Sequence, residues 1–356
     1  MNPLLKLITN KKKVPLNIFI EHALYHKQFG YYEKKNVFGR YGDFTTAPIV
    51  SSIFSEMLSI WIVSFWMHIG KPKEINVVEL GPGLGIMAKD ILKIITNMET
   101  FDAKLNFILF EKSERLKKKQ AENLKSFSNI FWTKNLKTIK SYPTIFLANE
   151  FFDSLPIKQF IKVKNQWFER YVVADETLQK FNFFNQKINE NIENQISKFY
   201  NLKKSDIIEF PDTIENYLVD ISSVLKKNSG ILLIADYGYS GTIGHQTLRG
   251  FKNHTVVNIL KYAPECDITH SVNFSIIEKI FKKLNIQSVG LVEQSFFLKK
   301  LGILERLNRV IKQQTFLKSK NIFLSVNKLL NPKEMGDVFK VSAYSNSYDN
   351  FTLGFK

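Results

Sequence analysis

The chain has 356 residues and a formal net charge of +17, long enough for one large domain or two modest ones around a substantial core. Such a balance raises nucleic acid or an anionic membrane surface as partner. Only six residues are arginine, however, and none clusters, so lysine-rich composition is preferred over a surface that reads phosphate and base edges through planar guanidinium forks. One cysteine, Cys266, excludes an intramolecular disulfide and any multi-cysteine metal site, and the six histidines lack ligand spacing, so no metal is expected.

No apolar run approaches the roughly 20 residues that span a bilayer. The longest, 57–69, is interrupted by Ser59, Ser64 and His68 and reads as a buried helix carrying Trp61, Phe65 and Trp66 as core. The N-terminal stretch shows no apolar core with a cleavage site and no arginine-rich import pattern, which makes the cytoplasm the default compartment.

Residues 1–70 read as a mainly helical region with a loop set inside it. Residues 39–48, GRYGDFTTAP, bring Asp43, Thr45 and Thr46 together. They suit a loop lining a site, or a loop and helix cap with Pro48 in the first turn. Then comes NVVELGPGLGIMAKD at 76–90, an apolar run that meets Gly81, Gly83 and Gly85 before a helical stretch. That order predicts strand, tight turn and helix. Glycine accepts positive φ and lets backbone N–H groups approach a ligand, and the helix start offers unpaired donors to an anion. A dinucleotide fingerprint would need glycine or alanine where Ile86 stands.

Strand and helix continue to alternate. Residues 105–110 form an apolar run ending at Glu111, placed where an acid holds a ribose hydroxyl pair. Strands follow at 130–132, with Asn135 beyond, and at 144–148, delivering Asn149, Glu150 and Asp153 at its carboxyl end. Asp153 also suits a helix N-cap before Leu155. A hairpin is predicted at 160–173, a polar, partly helical insertion at 175–225, and a fifth strand at 230–237. A helix at 275–284, then strands at 289–292 and 295–298, complete a seven-stranded sheet. The organisation expected is a helical region at 1–70, a core at 71–300 interrupted at about 160–225, and a C-terminal extension at 301–356 packed on the core.

The strings ALYHKQFGYY, GDFTTAP, VVELGPGLG, FLANEFFDSLPIKQF, LLIADYG, PECDITHSVNF and PKEMGDVFKV, in this order, resemble the MidA-like family of S-adenosylmethionine-dependent protein arginine methyltransferases. The resemblance covers nearly the whole chain. It implies an α/β, Rossmann-like class I methyltransferase fold and symmetric dimethylation of an arginine in the large quinone-module subunit of complex I. S-adenosylmethionine would be the cofactor, held by Gly81, Gly83, Gly85 and Glu111, with Glu79, Asn135 and Asn149 completing the binding set. Asp43, Thr45 and Thr46 would line the site, and Glu150 with Asp153 would face the reacting group. A protein substrate is the expected partner and a homodimer a candidate assembly. The compartment becomes the mitochondrial matrix if the source is eukaryotic. Ile49, Leu84, Ser55, Ser59, His270, Ser271 and Asn273 depart from the family's pattern. Ile49, Leu84 and Asn273 keep open a non-catalytic assembly chaperone that retains the fold, and a methyltransferase acting on another protein or on nucleic acid is the further alternative.

Overall fold

Residues 2–33 and 46–356 are described by the structure, a computed structural model. The chain divides into two units, one made of Thr45–Phe151, Leu218–Gly238 and Ile280–Lys356, the other of Met1–Phe44, Phe152–Tyr217 and Tyr239–Lys279.

The first unit is built on short, unbroken apolar runs: β1 (Glu74–Leu80), β2 (Lys104–Phe110), β3 (Ile130–Thr133), β4 (Thr144–Asn149) and β5 (Gly230–Tyr239). Parallel strands are covered on both faces, so they lack the alternation of a half-exposed strand. The sheet continues into β6 (Gln287–Glu293) and β7 (Phe339–Ser345), in the spatial order β3-β2-β1-β4-β5-β7-β6. Among these seven strands the direction of β7 alone is reversed. From β1 the chain steps outward to β2 and β3, then returns to β4 on the other side of β1. At that reversal open α/β sheets bind ligands, beyond the carboxyl ends of their strands. The register sets Leu80 opposite both Phe110 and Ala148, and Asn149 opposite Ala235. Gly81, Glu111 and Glu150 therefore leave the sheet along one edge.

Helices α1 (Ser52–His68), α2 (Ile86–Ile95) and α3 (Glu114–Leu124) belong to this unit. As expected, α1 is a buried helix: Trp61, Phe65 and Trp66 are fully enclosed. Their indole N–H groups stay satisfied, Trp61 donating to the Leu353 carbonyl at 3.2 Å and Trp66 to that of Pro72 at 2.9 Å. Ser55 and Ser59 are also fully buried, and Ser59 Oγ donates to the Ser55 carbonyl at 2.8 Å.

One expected strand is a helix instead. Residues 295–298 lie in the helix Gln294–Lys300, and β7 completes the sheet. Phe297 and Leu298 are buried side by side while Phe296 is exposed. Adjacent burial suits side chains about 100° apart on a helix and not the alternation of a strand.

In the second unit, strands Lys158–Val163 and Gln166–Asp175 form the expected hairpin. Lys164 and Asn165 between them have φ of 47° and 61°, the left-handed pair that a two-residue turn needs. The polar stretch after it contributes strands Lys180–Lys187 and Ile207–Phe210 to the same sheet, besides helix Glu190–Ser197. Helices Pro3–Asn10 and Leu16–Tyr25 bury Leu5, Phe19 and Ile20 against Val172, Cys266 and Ile268.

β5 starts at Gly230, whose φ is 151° and whose missing Cβ would fall 1.9 Å from the Thr144 carbonyl oxygen on β4. Gly230→Ala is expected to lower stability by roughly 3 kcal/mol or more, because neither strand has room to retreat. Urea unfolding measures it, and a midpoint equal to that of the parent would show that β4 and β5 separate freely there.

Candidate active site

Between β1 and α2 the backbone turns through Gly81, Gly83 and Gly85, with φ of 63°, 53° and 73°. Three positive φ values within five residues confine the turn to glycine at those positions. The Gly81 N–H donates to the Phe110 carbonyl at 3.1 Å and the Gly85 N–H to that of Pro82 at 2.7 Å. A Cβ on Gly81 would come within 2.8 Å of Cδ2 of Phe151, so the turn lies against the residue that follows Glu150.

The turn is braced from α3. Gln120, fully buried, donates through Nε2 to the Gly83 carbonyl at 2.8 Å and to Glu111 Oε2 at 3.0 Å. Its Oε1 accepts from Trp132 Nε1 at 2.9 Å. Asn123 adds a bond to the Leu84 carbonyl at 2.9 Å. Glu111, directly after β2, accepts through Oε1 from the Ser113 N–H at 2.8 Å. The apolar run that ends at Glu111 marks its place at the strand end in the sequence, whereas nothing comparable marks Gln120. In ERLKKKQAENL a glutamine looks like one more solvated polar residue, and only the helical phase of Leu116, Gln120 and Leu124 points it inward.

Glu79 is 3% exposed, near the end of β1. Burial pushes its carboxyl well above the usual range, the charge of Glu111 adds to this, and a hydrogen bond from the Ala88 backbone opposes it. Its Oε2 and the Oδ1 of Asn149 are buried without a hydrogen-bond partner among the described residues. Two orphaned acceptors beside a glycine cradle suit a ligand that brings donors and positive charge. Asn135 is exposed, and its Oδ1 caps the turn Leu136–Thr138 by accepting from the Lys137 N–H at 3.0 Å.

Glu150 follows β4 with φ of 50°, a left-handed conformation that a non-glycine residue holds only when its surroundings impose it. Its N–H donates to the Ala235 carbonyl at 3.0 Å. Its Oε1 accepts from the Ala47 N–H at 3.0 Å and from Asn149 Nδ2 at 3.2 Å. Thr46 precedes the short helix Ala47–Val50, so the end of GDFTTAP meets this carboxylate. Asp43 and Thr45 lie outside the described residues.

Asp153 belongs to the second unit. Its Oδ2 accepts from Thr269 Oγ1 at 2.7 Å and its carbonyl from the His270 N–H at 3.0 Å. Burial pushes its carboxyl up, against the Thr269 hydrogen bond and the neighbouring His270. The helix N-cap considered for Asp153 is not there, because the chain makes a turn with Leu155 N–H on the Phe152 carbonyl at 3.3 Å. Ser154-Leu-Pro is too short and too proline-bound to continue as a helix. Asn273 has a positive use for its amide: Oδ1 accepts from the Ser275 N–H at 3.2 Å and Nδ2 donates to the Gly241 carbonyl at 3.1 Å. An aspartate could supply only the first. Among the described residues no group of three or more His, Cys, Asp or Glu is placed to hold a metal ion.

Residues 57–292 match the family described as "Putative S-adenosyl-L-methionine-dependent methyltransferase". Two Burkholderia thailandensis structures share the fold, each at a TM-score of 0.81. One, described as bound to S-adenosyl-homocysteine, is 22% identical and the alignment covers 96% of this chain and 91% of that one. The other is 23% identical, with 99% and 94% covered. A sheet of this order with a glycine turn at the β1–β4 reversal, matched by that family over most of its length, is an S-adenosylmethionine-dependent methyltransferase. The relative from Danio rerio named "Protein arginine methyltransferase NDUFAF7, mitochondrial" is 30% identical over 361 residues, covering 92% of this chain and 82% of its own. The human protein of that name is 29% identical, with 96% and 83% covered. The chain belongs to the MidA-like family of methyltransferases.

Gln120→Leu keeps the volume and removes the brace, so S-adenosylhomocysteine affinity is expected to fall about tenfold or more, as for loss of a buried orienting hydrogen bond. Calorimetric titration tests this, and unchanged affinity would make Gln120 a packing residue only. For Glu79 the sign follows from its raised value. Between the usual carboxylate range and that value the native state holds a proton that the unfolded chain has lost, so stability falls as pH rises. Glu79→Gln should therefore gain on the parent more at about pH 8 than at about pH 5 in urea unfolding. An equal gap at both would mean that Glu79 is ionised in the native state.

Proposed function

We propose that this chain methylates an arginine of a protein substrate. The target in this reading is the large quinone-module subunit of complex I, and the product is symmetric dimethylarginine formed in support of complex I assembly. The names of the relatives from Danio rerio and human support arginine as the acceptor. Both are named mitochondrial, and the matrix is the compartment in this reading if the source is eukaryotic. The observation that carries the chemistry is the carboxylate of Glu150, held by the Ala47 N–H and Asn149 on a left-handed backbone beside the cofactor turn.

S-adenosylmethionine, when bound, supplies an electrophilic methyl group on a sulfonium cation. Gly81, Gly83 and Gly85 would admit it close to the backbone, and the first turn of α2 would receive its carboxylate. Glu111, oriented by Gln120, would hold the ribose diol. Glu79 would lend negative potential to a cationic ligand, while Asn149 would accept a hydrogen bond. Asn135 would border the cofactor from the end of β3.

Arginine is a poor nucleophile, because its guanidinium stays protonated below about pH 12 and its lone pairs are delocalised. Glu150 would grip the unreacting N–H groups through charge-assisted bonds, aim the remaining nitrogen, and offset the positive charge that builds before proton loss. Orientation, more than proton transfer, then supplies most of the rate. Asp153 would assist or hold its loop, and Asp43, Thr45 and Thr46 would line the substrate side.

Glu150→Gln is expected to lower turnover on the co-expressed subunit by about a hundredfold or more while S-adenosylhomocysteine still binds. Mass spectrometry of the labelled product locates the arginine. Full transfer by the variant at saturating substrate would remove Glu150 from this role, and no transfer by the parent would move the target to another protein.

A further inference from the structure

Two helices near the C-terminus, α4 (Ile303–Ile311) and α5 (Phe316–Leu330), carry a surface that the methyl-transfer chemistry does not use. On α5, Phe316 and Leu317 are 82% and 72% exposed, and Phe323 and Leu324 are each 52% exposed. The two pairs are seven residues apart, two helical turns, so they share one face. Leu304 on α4 is exposed as well. The opposite face of α5 buries Val326 and Leu329 in the core, which fixes the helix with its apolar stripe outward.

The charge along this stripe is mostly positive, with Glu305 on α4 and Glu334 as the acids at its two ends. Residues 307–333 hold Arg309, Lys312, Lys318, Lys320, Lys328 and Lys333 and no aspartate or glutamate. Each of the six is exposed. Lys320 stands in the middle of the stripe, four residues after Phe316 and four before Leu324. Protein interfaces deplete lysine at their centres. At a lipid surface the same placement is favourable, since the methylene stem lies along apolar groups while the ammonium reaches the phosphates. A second copy would bring an identical basic face onto this one, and like charges would oppose that contact.

We propose that α4 and α5 form a docking surface for anionic phospholipid membranes. Phe316, Leu317, Phe323 and Leu324 enter the interface, and the lysines meet the headgroups. Each basic residue near such a surface strengthens attachment by roughly fivefold, so several together sustain binding by a shallow helix that does not cross the bilayer. Among the described residues no helix is long and apolar enough to cross a membrane.

The full chain should sediment with vesicles of phosphatidylcholine and phosphatidylserine but not with phosphatidylcholine alone, and added salt should release it. Phe316→Ser with Phe323→Ser, and separately Lys320→Glu with Lys328→Glu, should each weaken binding about tenfold or more. Both pairs are exposed, so thermal unfolding and S-adenosylhomocysteine affinity should match the parent. No sedimentation with the mixed vesicles, or sedimentation that both variants retain, overturns the proposal. A parent that ignores vesicles but forms a dimer lost in the phenylalanine variant would assign the stripe to self-association and overturn it equally.

Discussion

The glycine turn of this protein depends on one buried amide. The glycine turn is permissive by composition, and three glycines in a row of five residues leave its backbone with little of its own to fix it. Gln120 supplies the constraint from outside. Its side chain ties the Gly83 carbonyl to the Glu111 carboxylate and is itself locked by the indole of Trp132. A neutral hydrogen bond adds only about 1 kcal/mol to stability, but leaving a buried partner unpaired costs up to about 3. The arrangement is therefore held less by what its bonds contribute than by what any one of them would leave exposed to no partner.

The same region works against the fold electrostatically. Glu79 and Glu111 are both buried, and burial together with the charge of Glu111 raises the cost of ionising Glu79. Ionising Glu79 would concentrate negative charge in a low-dielectric place, so the carboxyl keeps its proton. A cationic ligand placed there would favour the ionised form through an attraction that water screens little. Stability and binding thus pull Glu79 toward opposite protonation states. Occupancy of the site is expected to decide between them.

What the sequence made legible follows the range of the physics. Apolar runs and glycines act locally, so β1 to β5, the turn at Gly81–Gly85 and the placement of Glu111 and Glu150 at one sheet edge are legible in the sequence. The strand expected at 295–298 failed because FFL fits either periodicity, and the choice was made by distant packing of Phe297 against Phe355. Gln120 was invisible for a related reason: its three partners lie on three other segments. Asp153 was placed correctly in the chain but not in its surroundings, since Thr269 and His270 approach it from more than a hundred residues away.

Net charge shows the difference between an amount and an arrangement. An excess of lysine over the whole chain is compatible with drift in composition, and the scarcity of arginine argues against base-edge recognition. Neither fact says where the positive charge acts. Between 307 and 333 the acids disappear, and the helical phase of α5 sets Lys320 among Phe316, Phe323 and Leu324 on the outward face, with Lys328 at its edge. Burial explains the inward residues, Val326 and Leu329, but it gives no reason for phenylalanine and leucine to remain in water opposite them. Phe316, Lys320, Phe323 and Leu324 fall within about 100° of one another on α5, so exposed aromatic, aliphatic and cationic groups share one face, and a face of that kind is defined by what it meets.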